Sequence, residues 1–177
     1  ASIQELDNWQ ESAGSLLKLI TIAPEVDNAV EFTKEAVARG IRIAIGHANP
    51  TDEQIDAVIE AGATLSTHLG NGSHALLPRL RNHIWKQAAD DRLSAGVIAD
   101  GFHLPHSAIR IFHRTKGIEK LILVSDVALL GGKNPGQYKW GNIDVEVFSD
   151  GHLGLPGTSF LAGAGHLLDR DIKVFMD

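Results

Sequence analysis

Short apolar runs alternate with amphipathic segments over most of the chain. Runs rich in leucine and β-branched residues predict five strands, at 16–23, 41–47, 63–68, 94–99 and 120–125. Segments with apolar residues at helical spacing predict helices at 27–39, 51–62 and 105–116. Strands that alternate with helices in this way predict an α/β fold with a parallel sheet.

Start and stop signals support the predicted helices. Thr51 and Gln54 have the spacing of a capping box, and Gly62 follows the last apolar position of that segment. Asp27 can cap the preceding helix, and Gly40 marks its end. These boundaries place each of the second and third strands directly after a helix.

The pattern changes beyond the fifth strand. Residues 129–136 are rich in glycine and predict a loop, whereas residues 138–155 alternate as antiparallel strands do, with a turn at 149–151. A further helix is predicted at 161–169. The βα units therefore occupy about 16–128, and a small antiparallel region follows them.

The number of strands bears on the fold class. Five parallel strands cannot close a (β/α)₈ barrel, which needs eight, and no G-x-G-x-x-G run follows the first three strands as expected of a dinucleotide-binding sheet. The sequence lacks an initiating Met, and residues 170–177 resemble the middle of an element. We expect residues 1–177 to be one incomplete catalytic domain, the C-terminal part of a TIM-like barrel.

Composition narrows the classes of partner. Of 177 residues, 44% are apolar and 21% charged, as in an ordinary globular domain. The net charge of −6 argues against nucleic acid or an anionic membrane as the main partner. Without a signal-peptide pattern or a long apolar run, a cytoplasmic location is expected. With no cysteine but nine histidines, any metal site must use imidazole and carboxylate.

Titratable side chains follow all five predicted strands. They are Glu25, His47, His68, Asp100 with His103, and Asp126. The carboxyl ends of parallel strands meet at one edge of a sheet, so these groups are expected at a common rim. One such histidine is more often a structural group than a ligand, but five strand ends with titratable groups together predict a catalytic site.

The chemistry predicted for this rim is metal-assisted hydrolysis. Imidazole nitrogens bind a divalent ion at about 2.1 Å and lower the pKa of its bound water. His47 and His68 are the expected ligands. Asp126 could accept a proton from the water and later deliver one to the leaving group, although a helix cap or a buried ion pair is the alternative for it.

Four segments carry a resemblance to a known family. They are residues 45–49 (IGHAN), 67–71 (THLGN), 99–103 (ADGFH) and 124–126 (VSD). In order and spacing they resemble the motifs of N-acetylglucosamine-6-phosphate deacetylases of the amidohydrolase superfamily, over roughly residues 20–165. The resemblance implies a deformed barrel and removal of acetate from an amino sugar by attack of metal-bound hydroxide.

The resemblance also implies roles for individual residues. Zinc, or alternatively iron, would be held by His47 and His68, with Asp126 as the catalytic aspartate. His103 matches a histidine that contacts substrate and helps to polarise the acetamide carbonyl. Asn71 and Gly72 match the sugar-binding loop.

The sequence departs from the family's pattern in three places. The H-x-E-G-P stretch that supplies a carboxylate metal ligand is absent, and Glu25 belongs to a later segment, so it is not assigned as a ligand. After His68 the family usually has a larger residue and then Asn-Ala-Met, whereas this chain has Gly-Asn-Gly-Ser-His at 70–74. Arg79 lies near the position of a phosphate-binding arginine, with Arg81 and His83 as alternatives.

Two other functions stay open at this point. The protein could be a different amidohydrolase, such as a dipeptidase-like or cyclic-amide hydrolase, because the metal core is shared. It could also be a catalytically inactive binding or structural relative, because the carboxylate ligand is missing. A small-molecule amino sugar is the expected partner, and the exposed edges of an incomplete barrel leave a homodimer open.

Overall fold

The computed structural model describes residues 2–177. These residues form six helices and eight strands. The helices are α1 (Ile3–Ser12), α2 (Ala29–Ala38), α3 (Asp52–Glu60), α4 (His83–Ala89), α5 (His106–Lys116) and α6 (Leu168–Met176). The strands are β1 (Leu19–Ile22), β2 (Arg42–Ile45), β3 (Leu65–Ser66), β4 (Ser94–Val97), β5 (Leu121–Leu123), β6 (Gly136–Trp140), β7 (Ile143–Val147) and β8 (Leu153–Gly154).

The first five strands form one sheet in chain order, β1-β2-β3-β4-β5. β1, β2, β3 and β4 pair in parallel, with Ile22 opposite Ile45 and Ile45 opposite Ser66. The predicted α/β class with a parallel sheet is confirmed. The strands are shorter than predicted, and His47, His68 and Asp126 lie just beyond three of them with positive φ angles.

Contacts divide the chain into two compact units. The first comprises the residues up to Gly96 together with Phe112–Ile122, and the second comprises Val97–Ile111 together with Leu123–Asp177. The chain passes between the units within β4, α5 and β5. The expectation of one catalytic domain over 1–177 stays a prediction.

The core of the first unit lies between the sheet and the helices α1, α2 and α3. It is built from isoleucines of β2 and its flanks and from apolar positions of the helices, including Leu6, Phe32, Ala36, Ile41, Ile43, Ile45, Ile55 and Val58. Each fully buried large side chain of this kind stabilises the fold by about 1.5–3 kcal/mol. This core packs against β2, and the chain that follows β2 and β3 carries the candidate site.

The second unit contains the antiparallel sheet β6-β7-β8. β6 and β7 pair with Gly136 opposite Val147, and a two-residue turn with Gly141 at φ 60° joins them. The unit's apolar core consists of Leu130, Val145, Val147, Leu153 and Ala162. The predicted antiparallel region near 138–155 is confirmed.

The helix predicted at 161–169 is wrong, because α6 begins only at Leu168. Leu161 and Ala164 instead form isolated bridges with Gly154 and Val127. Gly163 has a φ of 92°, outside the helical region. Pairing with distant segments therefore replaces local helix formation here.

Two helices were not predicted. α1 begins with a capping box in which Ser2 and Glu5 bond each other's backbone N–H groups. α4 lies between the predicted third and fourth strands, where no helix was predicted, and the Asn82 side chain accepts hydrogen bonds from the N–H groups of Ile84 and Trp85. Among residues 2–177, none of the helices has the length and apolar character needed to cross a bilayer.

Candidate metal centre and associated polar groups

The imidazoles of His47 and His68 meet just beyond the ends of β2 and β3. Because Ile45 lies opposite Ser66, the two chains leave the sheet side by side. The two Nε2 atoms are 2.8 Å apart, and the rings meet edge to face with centroids 4.6 Å apart. His68 is buried and His47 is exposed, so the pair is open on one side.

Both histidines have a left-handed backbone conformation, with φ 50° at His47 and 29° at His68. This region is disfavoured by about 1–2 kcal/mol for residues other than glycine. Such conformations cluster at functional sites, where the surrounding structure holds them. Asp126 after β5 has the same feature, with φ 49°.

Close packing at Gly46 fixes the ends of the strands. A Cβ atom on Gly46 would lie 2.7 Å from the Thr67 Cβ and 2.9 Å from the Thr21 Cγ2. The hydroxyls of Thr21 and Thr67 are hydrogen-bonded to each other at 2.8 Å. Only glycine fits between them, and the residues directly before His47 and His68 are therefore held together.

Gly72 packs against the histidine pair from the following loop. It has φ 61°, and a Cβ atom there would lie 3.0 Å from the His47 Nδ1 and 3.1 Å from the His68 Cε1. The Asn71 N–H donates to the His68 carbonyl at 2.9 Å, which turns the loop back over the rings. The loop in which this chain departs from the family's pattern thus touches both imidazoles.

Glu25, at the end of β1, contacts the segment after His47 rather than the imidazoles' nitrogen atoms. Its Oε1 atom accepts a hydrogen bond from the Asn49 N–H at 2.6 Å. A carboxylate that accepts from a backbone N–H makes a strong, charge-assisted bond. Glu25 therefore connects the segment after β1 to the segment that follows His47.

Buried polar groups of α4 line a small cavity behind His47. His83 and Gln87 are both buried, and the Gln87 amide donates to the His83 Nδ1 at 3.3 Å. Within residues 2–177, the Asn71 Nδ2, His83 Nε2 and Gln87 Oε1 atoms have no hydrogen-bond partner. These side chains and His47 line a cavity of about 10 Å³, room for roughly one water molecule. Burial lowers the pKa of His83.

Lys116 holds the other end of α4. Its buried Nζ donates to the carbonyls of Gln87 at 2.7 Å and Asp90 at 2.6 Å, which would otherwise lack helical partners. Burial lowers the pKa of this ammonium group. The helix that carries His83 and Gln87 is thereby fixed at its C-terminal end.

A larger cleft lies on the outer side of His83. It has a volume of about 390 Å³ and is lined by Asn49, Pro50, Thr51, Asp52, Glu53, Pro78, Arg81, Asn82 and His83. Arg79 is exposed and is not among the residues that line it. The two arginines considered for phosphate binding thus have different surroundings.

The donor set of the pair fits two ligands of a divalent metal. Two imidazole nitrogens that share an ion at 2.0–2.1 Å, with an angle of 90–109° between them, lie about 2.8–3.4 Å apart. The observed 2.8 Å lies at the lower end of that range. Among residues 2–177, no group of three or more candidate ligand side chains comes together. Residues 2–177 therefore bring two candidate ligands together, and Glu25 is not grouped with them.

In the second unit, the buried Asp100 pairs with the partly buried His103. Asp100 Oδ2 is 2.8 Å from the His103 Nδ1, while Oδ1 accepts from the N–H groups of Phe102 at 2.8 Å and His103 at 2.9 Å. Burial opposes ionisation of this carboxyl, but its bonds to His103 and to the backbone outweigh burial and lower its pKa to about 2. An ionised Asp100 holds the ring with Nε2 directed away from the carboxylate.

Asp126 lies on the exposed surface of the second unit, between β5 and the bridge of Val127 with Ala164. The structure thus joins two sets of the predicted groups, His47 with His68 and Asp100 with His103. The common rim expected for all five strand ends stays a prediction. Sequence reasoning gave no role to Arg170 or Asp171, because their contacts are with residues distant in the chain. It gave none to Gln87, because the helix that pairs Gln87 with His83 was not predicted.

Comparison with known proteins gives the family. No protein-family model matches the chain. N-acetylglucosamine-6-phosphate deacetylase from Bacillus subtilis is 30% identical over 173 residues, covering 94% of this chain and 44% of the relative. N-acetylgalactosamine-6-phosphate deacetylase from a Shewanella species is 37% identical over 136 residues, covering 76% of this chain and 34% of the relative.

Solved structures agree with these relatives. The crystal structure of N-acetyl-D-glucosamine-6-phosphate deacetylase from Mycobacterium smegmatis matches with a TM-score of 0.89 and 28% identity, covering 98% of this chain and 46% of that chain. The chain spans less than half the length of the relatives it matches. By sequence and by fold, the chain belongs to the N-acetylglucosamine-6-phosphate deacetylase family.

Proposed function

We propose that the protein hydrolyses the acetamide bond of an N-acetylated amino sugar 6-phosphate, with a divalent metal held by His47 and His68. The observation that carries this proposal is the meeting of the two imidazoles, with Nε2 atoms 2.8 Å apart. The names of the relatives supply the substrate class, since they act on N-acetylglucosamine 6-phosphate or N-acetylgalactosamine 6-phosphate.

Zinc is the metal we propose, with iron as the alternative. Imidazole nitrogens suit both ions. Bound there, the ion would lower the pKa of a water molecule and polarise the amide carbonyl. The carboxylate ligand implied by the family pattern would come from outside this sequence, since Glu25 is engaged with the Asn49 N–H.

The remaining steps are assigned to side chains of this chain. Asp126 would take a proton from the attacking water and pass a proton to the amine nitrogen as it leaves. His103, held by Asp100 through Nδ1, has Nε2 available for the acetamide group of the substrate. Asn71 and Gly72 would contact the sugar, and Arg79 would bind the phosphate.

We also propose that β1–β5 are consecutive strands of a (β/α)₈ barrel. A doubly wound sheet reverses its strand order at a switch point, whereas these five strands keep chain order throughout. In such a barrel, side chains that follow the strands lie at the catalytic end. This arrangement is consistent with the roles assigned to His47, His68 and Asp126.

Acetate release by the full-length, metal-loaded protein tests the proposal. We expect turnover of N-acetylglucosamine 6-phosphate or its galactosamine epimer, and little with the unphosphorylated sugar. Asp126→Asn should keep its metal but lose activity by about a hundred-fold or more. Asp169→Asn, the same substitution at an exposed aspartate of α6, serves as the control.

Other outcomes identify the rivals. Hydrolysis of a dipeptide or a cyclic amide without acetate release from any amino sugar would indicate another amidohydrolase. A protein that binds no metal would be an inactive relative. Activity of Asp126→Asn equal to that of the control would remove Asp126 from the mechanism.

A further inference from the structure

Two successive residues of α6 contact the loop that carries His103. The Asp171 Oδ1 atom accepts a hydrogen bond from the Ala99 N–H at 2.7 Å. The Arg170 Nε donates to the Asp100 carbonyl at 2.9 Å. Adjacent residues of the loop are thus bonded to adjacent residues of the helix, which fixes both the position and the direction of the loop.

Arg170 also contacts the loop at a third point. Its guanidinium carbon lies 4.9 Å from the centroid of the Phe102 ring, within the range of a cation–π interaction. The rings of His152 and His166 stack against Phe102, with centroids 5.0 Å and 5.5 Å away. Phe102 therefore lies in a packed group, and its backbone N–H remains directed at Asp100.

The position of the Asp171 carboxyl is energetically unfavourable. It is fully buried, and burial raises the pKa of its carboxyl. Within residues 2–177, its Oδ2 atom has no hydrogen-bond partner. Burying a polar atom without a partner costs about 1–3 kcal/mol, so stability alone does not account for a carboxyl that makes one hydrogen bond here.

Asp100 connects this anchored loop to the histidine. Its two oxygen atoms accept from the N–H groups of Phe102 and His103 and contact the His103 Nδ1 at 2.8 Å. All three contacts depend on where residues 99–102 lie. The orientation of the imidazole therefore follows from the position of the loop, as second-layer hydrogen bonds orient functional histidines in general.

We propose that Arg170 and Asp171 are positioning residues for His103. They hold residues 99–102 against α6, so that Asp100 keeps the imidazole in one tautomer with Nε2 free. The effect on the orientation of the ring does not depend on the reaction. The effect on turnover rests on the proposed function, in which His103 contacts the substrate.

The proposal makes different demands on the two side chains. Asp171 acts as an acceptor for the Ala99 N–H, so Asp171→Asn should retain the contact through its amide oxygen, whereas Asp171→Ala removes it. Arg170 acts through its Nε–H and its planar group, so Arg170→Lys should behave like Arg170→Ala despite keeping the charge. Asp169→Ala changes the same helix at an exposed position and is the matched control.

Nuclear magnetic resonance of the full-length protein with ¹⁵N-labelled histidine tests the orientation directly. The Nδ1–H proton of His103, bonded to a carboxylate, should give a downfield signal that His103→Gln identifies by its loss. We expect the signal in the unmodified protein, in Asp171→Asn and in Asp169→Ala. It should disappear or move upfield in Asp171→Ala, Arg170→Ala and Arg170→Lys.

Kinetics and metal content give the second readout. In the variants that lose the signal, kcat/KM should fall by about ten-fold while the metal content stays at that of the unmodified protein. If Asp171→Ala does not fold, the Arg170 variants decide the question, because that side chain is partly exposed. An unchanged signal in the folded Arg170 variants would overturn the proposal. Absence of deacetylation with the signal changes as expected would refute the proposed function alone.

Discussion

The Nε2 atoms of His47 and His68 lie 2.8 Å apart although the residues are 21 positions apart in the chain. Parallel pairing of β2 with β3 brings their backbones together, and a left-handed conformation at each residue turns the side chains towards each other. Close packing of Gly46 against Thr21 and Thr67, whose hydroxyls are hydrogen-bonded to each other, fixes the ends of the strands. The geometry of the pair is therefore a property of the sheet rather than of a flexible loop.

Gly72→Ala should weaken metal binding. The added Cβ would press on the His47 Nδ1 at 3.0 Å and on the His68 Cε1 at 3.1 Å, so the rings must move. We expect the dissociation constant for zinc to rise by about ten-fold, the lower end of the effect of disturbing the surroundings of metal ligands.

Gly40→Ala is the matched control for this change. Gly40 also has a positive φ, 76°, but a Cβ atom there would meet nothing within 4 Å. It should reproduce the backbone strain and leave zinc affinity unchanged. Equal affinities in Gly72→Ala and Gly40→Ala would show that the loop does not constrain the imidazoles.

Glu25 variants separate positioning from direct ligation. Glu25→Ala removes the acceptor of the Asn49 N–H and should lower zinc affinity by about ten-fold, because the turn after His47 is released. Glu25→Gln keeps an oxygen acceptor and should retain most of the affinity. Measurement by competition with a zinc chelator checks this, and an equally large loss in Glu25→Gln would make the carboxylate a ligand.

Arg79 and Arg81 can be distinguished by their effect on phosphorylated substrate. Arg79→Met should raise KM for the sugar 6-phosphate by about ten-fold or more, since a charge-assisted hydrogen bond contributes about 1.5–3 kcal/mol. Arg81→Met, in the cleft with Asp52 and Glu53, should change KM little. Steady-state kinetics decide between them. A larger rise in KM for Arg81→Met than for Arg79→Met would indicate that the phosphate of the substrate binds in the cleft.

Asp100 should make stability depend on pH in the acid range. Its pKa is lowered from 3.8 to about 2 in the folded protein, so its contribution to the free energy of unfolding is full above about pH 4 and is lost as the pH falls through about 2. The shift corresponds to about 2 kcal/mol. Asp100→Asn keeps the oxygen that accepts from the backbone but cannot ionise.

Urea unfolding at several pH values measures this contribution. The free energy of unfolding of the unmodified protein should exceed that of Asp100→Asn at pH 5, and the difference should shrink by about 2 kcal/mol towards pH 2. Asp90 also has a pKa lowered to about 2. It is present in both proteins, so its effect cancels in the difference between their free energies of unfolding. A difference that does not change with pH would contradict an ionised, buried Asp100.

Local pattern was sufficient to predict the elements that place His47 and His68. Runs of isoleucine between capping signals identify β2 and α3, and the rule that strand ends gather side chains then brings the histidines together. The same reasoning did not predict α4. Two of its buried residues, His83 and Gln87, are polar, so the segment shows no helical repeat of apolar residues. It also misplaced α6, because the pairing of Ala164 with Val127 is not visible in local sequence.

Contacts between residues that are distant in the chain could not be predicted from the sequence. Asp171 is 72 positions from Ala99, and a charged residue in an amphipathic segment is normally solvated. The role of Gly72 was partly indicated by the sequence, because the loop that contains it departs from the family's pattern. That Gly72 lies against both imidazoles is visible only in the folded structure.

X-ray absorption of the zinc-loaded full-length protein tests the central claim most directly, because it counts the imidazoles bound to the metal. We predict two imidazole ligands at about 2.0–2.1 Å in the unmodified protein and one in each of His47→Ala and His68→Ala. The metal-to-protein ratio should fall in both variants. Two imidazoles and an unchanged ratio in either variant would contradict the assignment of that histidine as a ligand.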